Sequence, residues 1–266
     1  MVQSTDQSDI QIIATIGPSS AAREKMSRMI ASGMGVARLN CAWGDTAQYE
    51  TFIEPLREEA KKLGRLVPWI FDLPGLRPHG EHRGLIGSSA SVTDEDIASI
   101  EFGLKHRVEY FAQSYVGRAE DVETLKREVA RRGRAKIIAK IERAEALKDL
   151  HAIIRVSDAV MIARGDLGNE IPLETIPFVE ADIIKAARAQ KRPVIVATEM
   201  LSSMVEKDTP SRADVTDIVY AVMHGADAVM LSNETATGQF PIESVDMMEK
   251  TLLEAEKHIA LPRRKL

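Results

Sequence analysis

The stretch Ala159-Val-Met-Ile-Ala-Arg-Gly-Asp-Leu-Gly-Asn-Glu-Ile-Pro172, AVMIARGDLGNEIP, decides the reading of the fold. An apolar run climbs to a charged turn, Arg164-Gly165-Asp166, and the chain then passes through Leu167-Gly168 to a proline-led helix start. A run that is apolar throughout, rather than alternating, marks a strand covered on both faces, as in parallel sheets packed between helices. Charge at its end means that the strand delivers polar groups where the core stops.

The same pattern recurs outward from this stretch until eight runs are counted: IQIIATIG from Ile10, GVARLN from Gly35, RLVPWIFD from Arg65, VEYFAQSYV from Val108, AKIIAKIE from Ala135, DAVMIARGD from Asp158, RPVIVATEM from Arg192 and ADAVMLSNE from Ala226. Helix starts follow most of them, at Ser19-Ser20, at Thr93 to Asp96, and at Pro172, Ser211 and Pro241. Eight βα units predict an α/β fold, a closed (β/α)8 TIM barrel forming a single domain over residues 1–266, with a doubly wound open sheet as the alternative. The length of 266 residues is close to the roughly 250 of one such barrel. One connection is irregular. Residues 73–92, LPGLRPHGEHRGLIGSSASV, are rich in Gly, Pro, Ser, Arg and His, and are expected to form a loop on the face that carries chemistry.

Composition narrows the function classes. A net charge of -5 argues against a nucleic-acid footprint. No apolar run approaches the ~18 residues of a membrane span, the first ten residues lack an apolar signal core, and Cys41 is the single cysteine, so a cytoplasmic protein is expected. Cys41 and the methionines Met26, Met29, Met247 and Met248 read as packing groups. Trp43 either stacks on a substrate or caps the barrel rim.

In a barrel of this kind the strand C-termini face the site. The polar residues ending the runs are Arg38 and Asn40, Asp72, Ser114, Lys140 and Glu142, Arg164 and Asp166, Thr198 and Glu199, and Ser232 and Glu234. Each alone reads as a solvated loop residue or a structural ion pair, but together they converge. Glu142 and Asp166, on neighbouring strands, supply the one or two carboxylates with which Mg²⁺, or Mn²⁺, is held alongside waters and substrate oxygens. Lys140, two residues before Glu142, points to the same side of its strand, and a metal beside an ammonium suits an oxyanion. Backbone N–H groups after Asp166 offer an anion corner, with the Thr198 hydroxyl from the next strand.

ATIGPSS, GMGVARLN, KIIAKIE, VMIARGDLGNEIPLE, VIVATEMLSSM, SRADVTDIVYAV and GADAVMLSNETATGQFP resemble consecutive barrel motifs of the pyruvate kinase family, in the same order, from about Ile10 to His258. The resemblance implies a site for phosphoenolpyruvate or pyruvate. Glu142 and Asp166 would bind the divalent metal, and Lys140 would stabilise the enolate oxygen or the phosphoryl group in flight. Gly165, Asp166 and Thr198 would hold the carboxylate, with Ser114 also on the substrate side, and Arg38 would meet the phosphoryl group.

The chain also departs from the family. Loop 73–92 stands where the family inserts a lid domain, and neither that lid nor the family's C-terminal domain is expected. The family's monovalent-cation ligands are reduced, with Ala42 and Leu73 replacing oxygen donors beside Asn40 and Asp72. Trp43 replaces a histidine, Glu199 a glutamine and Asn233 a glycine, while Arg77 is a partial substitute for lost basic residues. Arg77, His79, His82 and Arg83 are expected to bind the far end of a substrate. Because the departures gather in the phosphoryl-transfer half, the leading expectation is a metal-dependent enzyme making or consuming the enolate of a 2-oxo acid by aldol-type or decarboxylating lyase chemistry. Pyruvate kinase itself is the alternative, and a non-catalytic metabolite-binding protein the second. A small-molecule 2-oxo acid or phosphoenolpyruvate as ligand and a homo-oligomeric assembly complete the expectations.

Overall fold

The structure, a computed structural model, describes residues 7–75, 92–259 and 264–265. Eight strands form a closed barrel in sequence order: β1 (Gln11–Thr15), β2 (Met34–Asn40), β3 (Trp69–Asp72), β4 (Tyr110–Gln113), β5 (Lys136–Ile141), β6 (Ala159–Ala163), β7 (Val194–Ala197) and β8 (Ala228–Leu231). The principal helices following them are α1 (Arg23–Ala31), α2 (Thr46–Lys62), α3 (Asp94–Lys105), α4 (Ala119–Arg132), α5 (Leu150–Val156), α6 (Ile176–Ala189), α7 (Arg212–His224) and α8 (Pro241–His258). The expected (β/α)8 barrel is therefore present. Among the described residues no helix is long and apolar enough to cross a membrane.

Several boundaries differ from expectation for identifiable reasons. The run from Arg65 becomes strand only at Trp69, since Pro68 has no N–H to give a ladder and Leu66 lies in water, 95% exposed. Ser19-Ser20 does not cap α1, whose cap is Ala22. The buried Ser20 instead accepts the Gly17 N–H at 3.1 Å. Pro172 opens a 3-10 turn, Leu173–Thr175, before α6 begins. Thr93 and Ser211 do cap α3 and α7, each in a reciprocal capping box, with Asp96 and Asp214 respectively.

The chain divides into two compact units, described separately. The first comprises residues 1–37, 50–67 and 195–266. Within it β8 pairs in parallel with β1 and β7, placing Val229 beside Ile12 and Val196. Met26 and Met29 of α1 and Met248 of α8 are fully buried, as expected, whereas Met247 is half-buried.

The second unit comprises residues 38–49 and 68–194. Its strands β3 to β6 pair in parallel, with Asp72 beside Ala112 and Lys140 beside Met161. Phe71 anchors an aromatic cluster, stacked on Phe102 and edge-on to Trp69 and Phe111 at centroid distances of 6.1 to 6.4 Å. Gly103 of α3 lets that helix approach, because a Cβ there would lie 2.8 Å from the Phe111 ring. After β3 the chain turns at Gly75, φ +64°, whose N–H donates to Asp96 Oδ1 at 3.0 Å; Asp96 Oδ2 accepts the Thr93 N–H at 2.8 Å. One buried carboxylate thus ties Gly75 to Thr93.

Candidate active site

The ends of β2 to β5 gather a buried charge cluster inside the second unit. Strand alternation turns Lys140 and Glu142 to one side of β5, and the parallel neighbours bring Arg38, Asp72 and Ser114 to them. Lys140 Nζ lies 3.1 Å from Asp72 Oδ1 and 3.2 Å from Glu142 Oε2, and donates to Ser114 Oγ at 2.8 Å. Arg38 reaches Asp72 Oδ2 through Nε at 2.8 Å and Nη2 at 2.7 Å. Ser114 Oγ has one proton, and the Leu73 carbonyl at 2.7 Å is a closer acceptor for it than Asp72 Oδ1 at 3.3 Å.

Electrostatics follow from burial and these contacts. Burial alone would lower the Lys140 pKa, but Asp72 and then Glu142 outweigh it and hold the ammonium above the ordinary lysine range. Burial would raise Asp72, and the Lys140 and Arg38 charges hold it below the ordinary carboxylate range. Glu142 is raised, mainly by burial, with Asp72 and Asp166 adding to the effect against Lys140 and the Tyr115 N–H.

Glu142 carries the cue for a metal. Its Oε1 accepts the Tyr115 N–H at 2.5 Å, while Oε2 is buried, accepts no hydrogen bond and faces only the Lys140 ammonium in poor donor geometry. A buried acceptor without a donor costs about 1–3 kcal/mol unless something else satisfies it. Asp166, exposed in the short helix Arg164–Leu167, is close enough to raise Glu142 by its charge. Two carboxylates with room for waters and substrate oxygens fit Mg²⁺ or Mn²⁺. Among the described residues no group of three or more His, Cys, Asp or Glu side chains offers a complete protein cage.

The remaining expected residues fall in different places. Gly165 and Asp166 occupy the first turn of that four-residue helix. Arg164 turns away, buried against Glu180 of α6 with Nη1 3.3 Å from Oε2. Asn40 folds onto its own turn, Oδ1 accepting the Ala42 N–H at 3.1 Å. Thr198 belongs to the first unit, where it adopts φ +70° and donates its hydroxyl to the Ala197 carbonyl at 2.6 Å. Arg77, His79, His82 and Arg83 lie outside the described residues. Cys41 is buried, and burial foremost pushes its thiol up, so it is no nucleophile at neutral pH. Trp43 is 68% exposed, its carbonyl held by the Tyr49 hydroxyl at 2.9 Å.

Two contributors had weak signals in the sequence or none. Tyr115 aims its N–H at Glu142 from a left-handed conformation, φ +57°, which no residue pattern announces. Glu180 was marked only by being one of two acids, with Asp182, inside the otherwise apolar stretch IPFVEADII.

Comparison with known proteins bears on the chemistry. The family model described as "Pyruvate kinase, barrel domain" matches residues 7–83 and 84–245. A pyruvate kinase of Thermotoga maritima is 47% identical over 173 residues, 65% of this chain and 37% of that protein. One from Thermococcus litoralis is 32% identical over 331 residues, covering 93% of this chain and 70% of its own length. One from Staphylococcus saprophyticus is 31% identical over 332 residues, covering 92% and 58%. The chain therefore spans between about a third and about two thirds of these relatives. The two longer alignments exceed the 266 residues of this chain, so those relatives carry inserted residues within the matched span. These findings overturn the expectation of an aldol or decarboxylating lyase. The matched relatives are pyruvate kinases across most of the chain, and the point departures do not outweigh that.

Proposed function

The chain belongs to the pyruvate kinase family, and from that premise we propose that it transfers the phosphoryl group of phosphoenolpyruvate to ADP. The observation that carries the reading is the Arg38–Asp72–Lys140–Glu142 cluster, which sets two buried cations beside a carboxylate pair at the strand ends. Phosphoryl transfer needs mainly positioned positive charge. Arg38 meets the phosphoryl oxygens, and Lys140 stands where negative charge grows on the bridging oxygen as the P–O bond breaks. Ser114 holds the Lys140 ammonium at 2.8 Å while this happens. Glu142 and Asp166 hold a divalent metal, which when bound supplies further positive charge at the substrate oxygens. Gly165 and Asp166 bind the substrate carboxylate through their backbone N–H groups.

The monovalent-cation requirement is proposed to be lost. Both Asp72 oxygens are engaged by Arg38 and Lys140, and the neighbouring Ala42 and Leu73 bring no side-chain oxygen. Following ATP formation by ³¹P NMR from phosphoenolpyruvate, ADP and Mg²⁺, with and without K⁺, tests both statements. ATP at equal rates in the two buffers is expected. No ATP at any Mg²⁺ or K⁺ concentration would reject the kinase reading, and a rate that depends on K⁺ would reject the second statement alone.

A further inference from the structure

Asp72 closes β3 at 1% exposure and is the one group in the cluster that touches the cations of two other strands. Arg38 of β2 meets its Oδ2 at 2.7 and 2.8 Å, and Lys140 of β5 its Oδ1 at 3.1 Å. Ser114, after β4, bridges the same corner by accepting from Lys140 at 2.8 Å and donating to the carbonyl of Leu73, the residue after Asp72. We infer that Asp72 is a positioning residue for phosphoryl transfer, fixing the Lys140 ammonium and the Arg38 guanidinium at a set spacing before substrate arrives. This rests on the kinase reading above.

Long cationic side chains lose up to about 2 kcal/mol of rotamer freedom when ordered. If the protein orders them, the transition state does not have to. Stability alone does not account for the arrangement, because a buried ion cluster is commonly no more stable than an apolar filling of the same volume. In these contacts Arg38 and Lys140 face Asp72 and Glu142. Removing the Asp72 charge leaves an excess positive charge that binds the anionic substrate more tightly, while both cations lose their aim. Ground-state binding and rate are then pushed in opposite directions.

Asp72→Asn, nearly isosteric, separates these effects. Phosphoenolpyruvate binding in the presence of Mg²⁺ is measured by calorimetry beside steady-state kinetics. A kcat lower by about 10² to 10³, with one phosphoenolpyruvate still bound per chain and Kd and KM reduced several-fold, is the expected result. A merely structural role would lower kcat in step with the number of sites, at unchanged Kd, and that outcome overturns the inference, as does a kcat within about threefold of wild type. If Asp72→Asn does not fold, Ser114→Ala reports on the same corner: a kcat lowered about tenfold at full site occupancy supports the inference, and unchanged kcat overturns it. An inactive wild type would fail the kinase reading and the inference with it. An active wild type with an indifferent Asp72→Asn fails the inference alone.

Discussion

At the ends of β3 and β5 Asp72 and Lys140 bind other side chains, whereas beside β8 the buried Glu234 and Thr235 bind the backbone. In the second unit, Asp72 and Glu142 share the Lys140 ammonium, and Asp72 also takes Arg38. In the first unit, Glu234 is just as buried, but its oxygens accept the backbone N–H groups of Leu201 at 3.1 Å and Ser232 at 2.7 Å. Thr15 and Thr235 likewise donate to the carbonyls of Leu231 and Thr15, both at 2.9 Å. A backbone partner cannot leave without unfolding the turn, so a group with both oxygens on the backbone, as Glu234 has, holds shape, whereas Glu142 spends only one oxygen that way. A charged side-chain partner can be exchanged for substrate, so such a group is available for chemistry. Position at a strand end is shared by both; the kind of partner distinguishes them.

The severest test of this contrast is Lys140→Met, for which ATP formation is expected to fall by about 10³ or more. A loss under tenfold in the coupled assay would break the comparison from the catalytic side. Glu234→Gln tests the other side. An amide cannot accept from two N–H groups with both of its ends, so a loss of about 1–3 kcal/mol is expected in urea unfolding. The kcat of the folded protein should stay within about threefold of wild type, and a catalytic defect larger than the stability loss would place Glu234 with the chemistry instead. Gly75→Ala forces a Cβ to 2.8 Å from Ser114 at φ +64°. It is expected to cost about 1–2 kcal/mol, read as a lower urea midpoint at unchanged slope.

The smallest change at neutral pH concerns acid. The folded Asp72 pKa is depressed, so its charge contributes stability that is present above the ordinary carboxylate range and is lost as pH falls through that range towards the folded value. The stability difference between wild type and Asp72→Asn is therefore expected to shrink progressively below about pH 4. A difference that stays constant down to pH 2 would show that Asp72 acts through packing and not through its charge.

The strands were legible because uniformly apolar runs have one stable place in an α/β fold, and the polar ends were legible because each run stops at them. Their partnerships were not legible. Arg164 and Lys140 both end apolar runs, yet one turns outward to Glu180 and the other inward to Asp72, a choice made by which helix or strand packs alongside. The hand of Tyr115 is likewise a tertiary outcome. The departures at Ala42 and Leu73 suggested altered chemistry when read singly. Beside Asp72 they sit against a carboxylate that Arg38 and Lys140 already pair with, an arrangement the substitutions alone do not announce.

The tie made by Asp96 has a further consequence. Its two oxygens fasten Gly75 and Thr93 to one point, so to the barrel everything between them is a side branch closed at its base. Lengthening such a branch costs only about 0.6 kcal/mol per doubling, because closure entropy grows with the logarithm of length. The two matched pieces of the family model meet inside this branch, at residues 83 and 84. Gly75 and Thr93 thus mark a junction at which added length would weigh little on the barrel's stability.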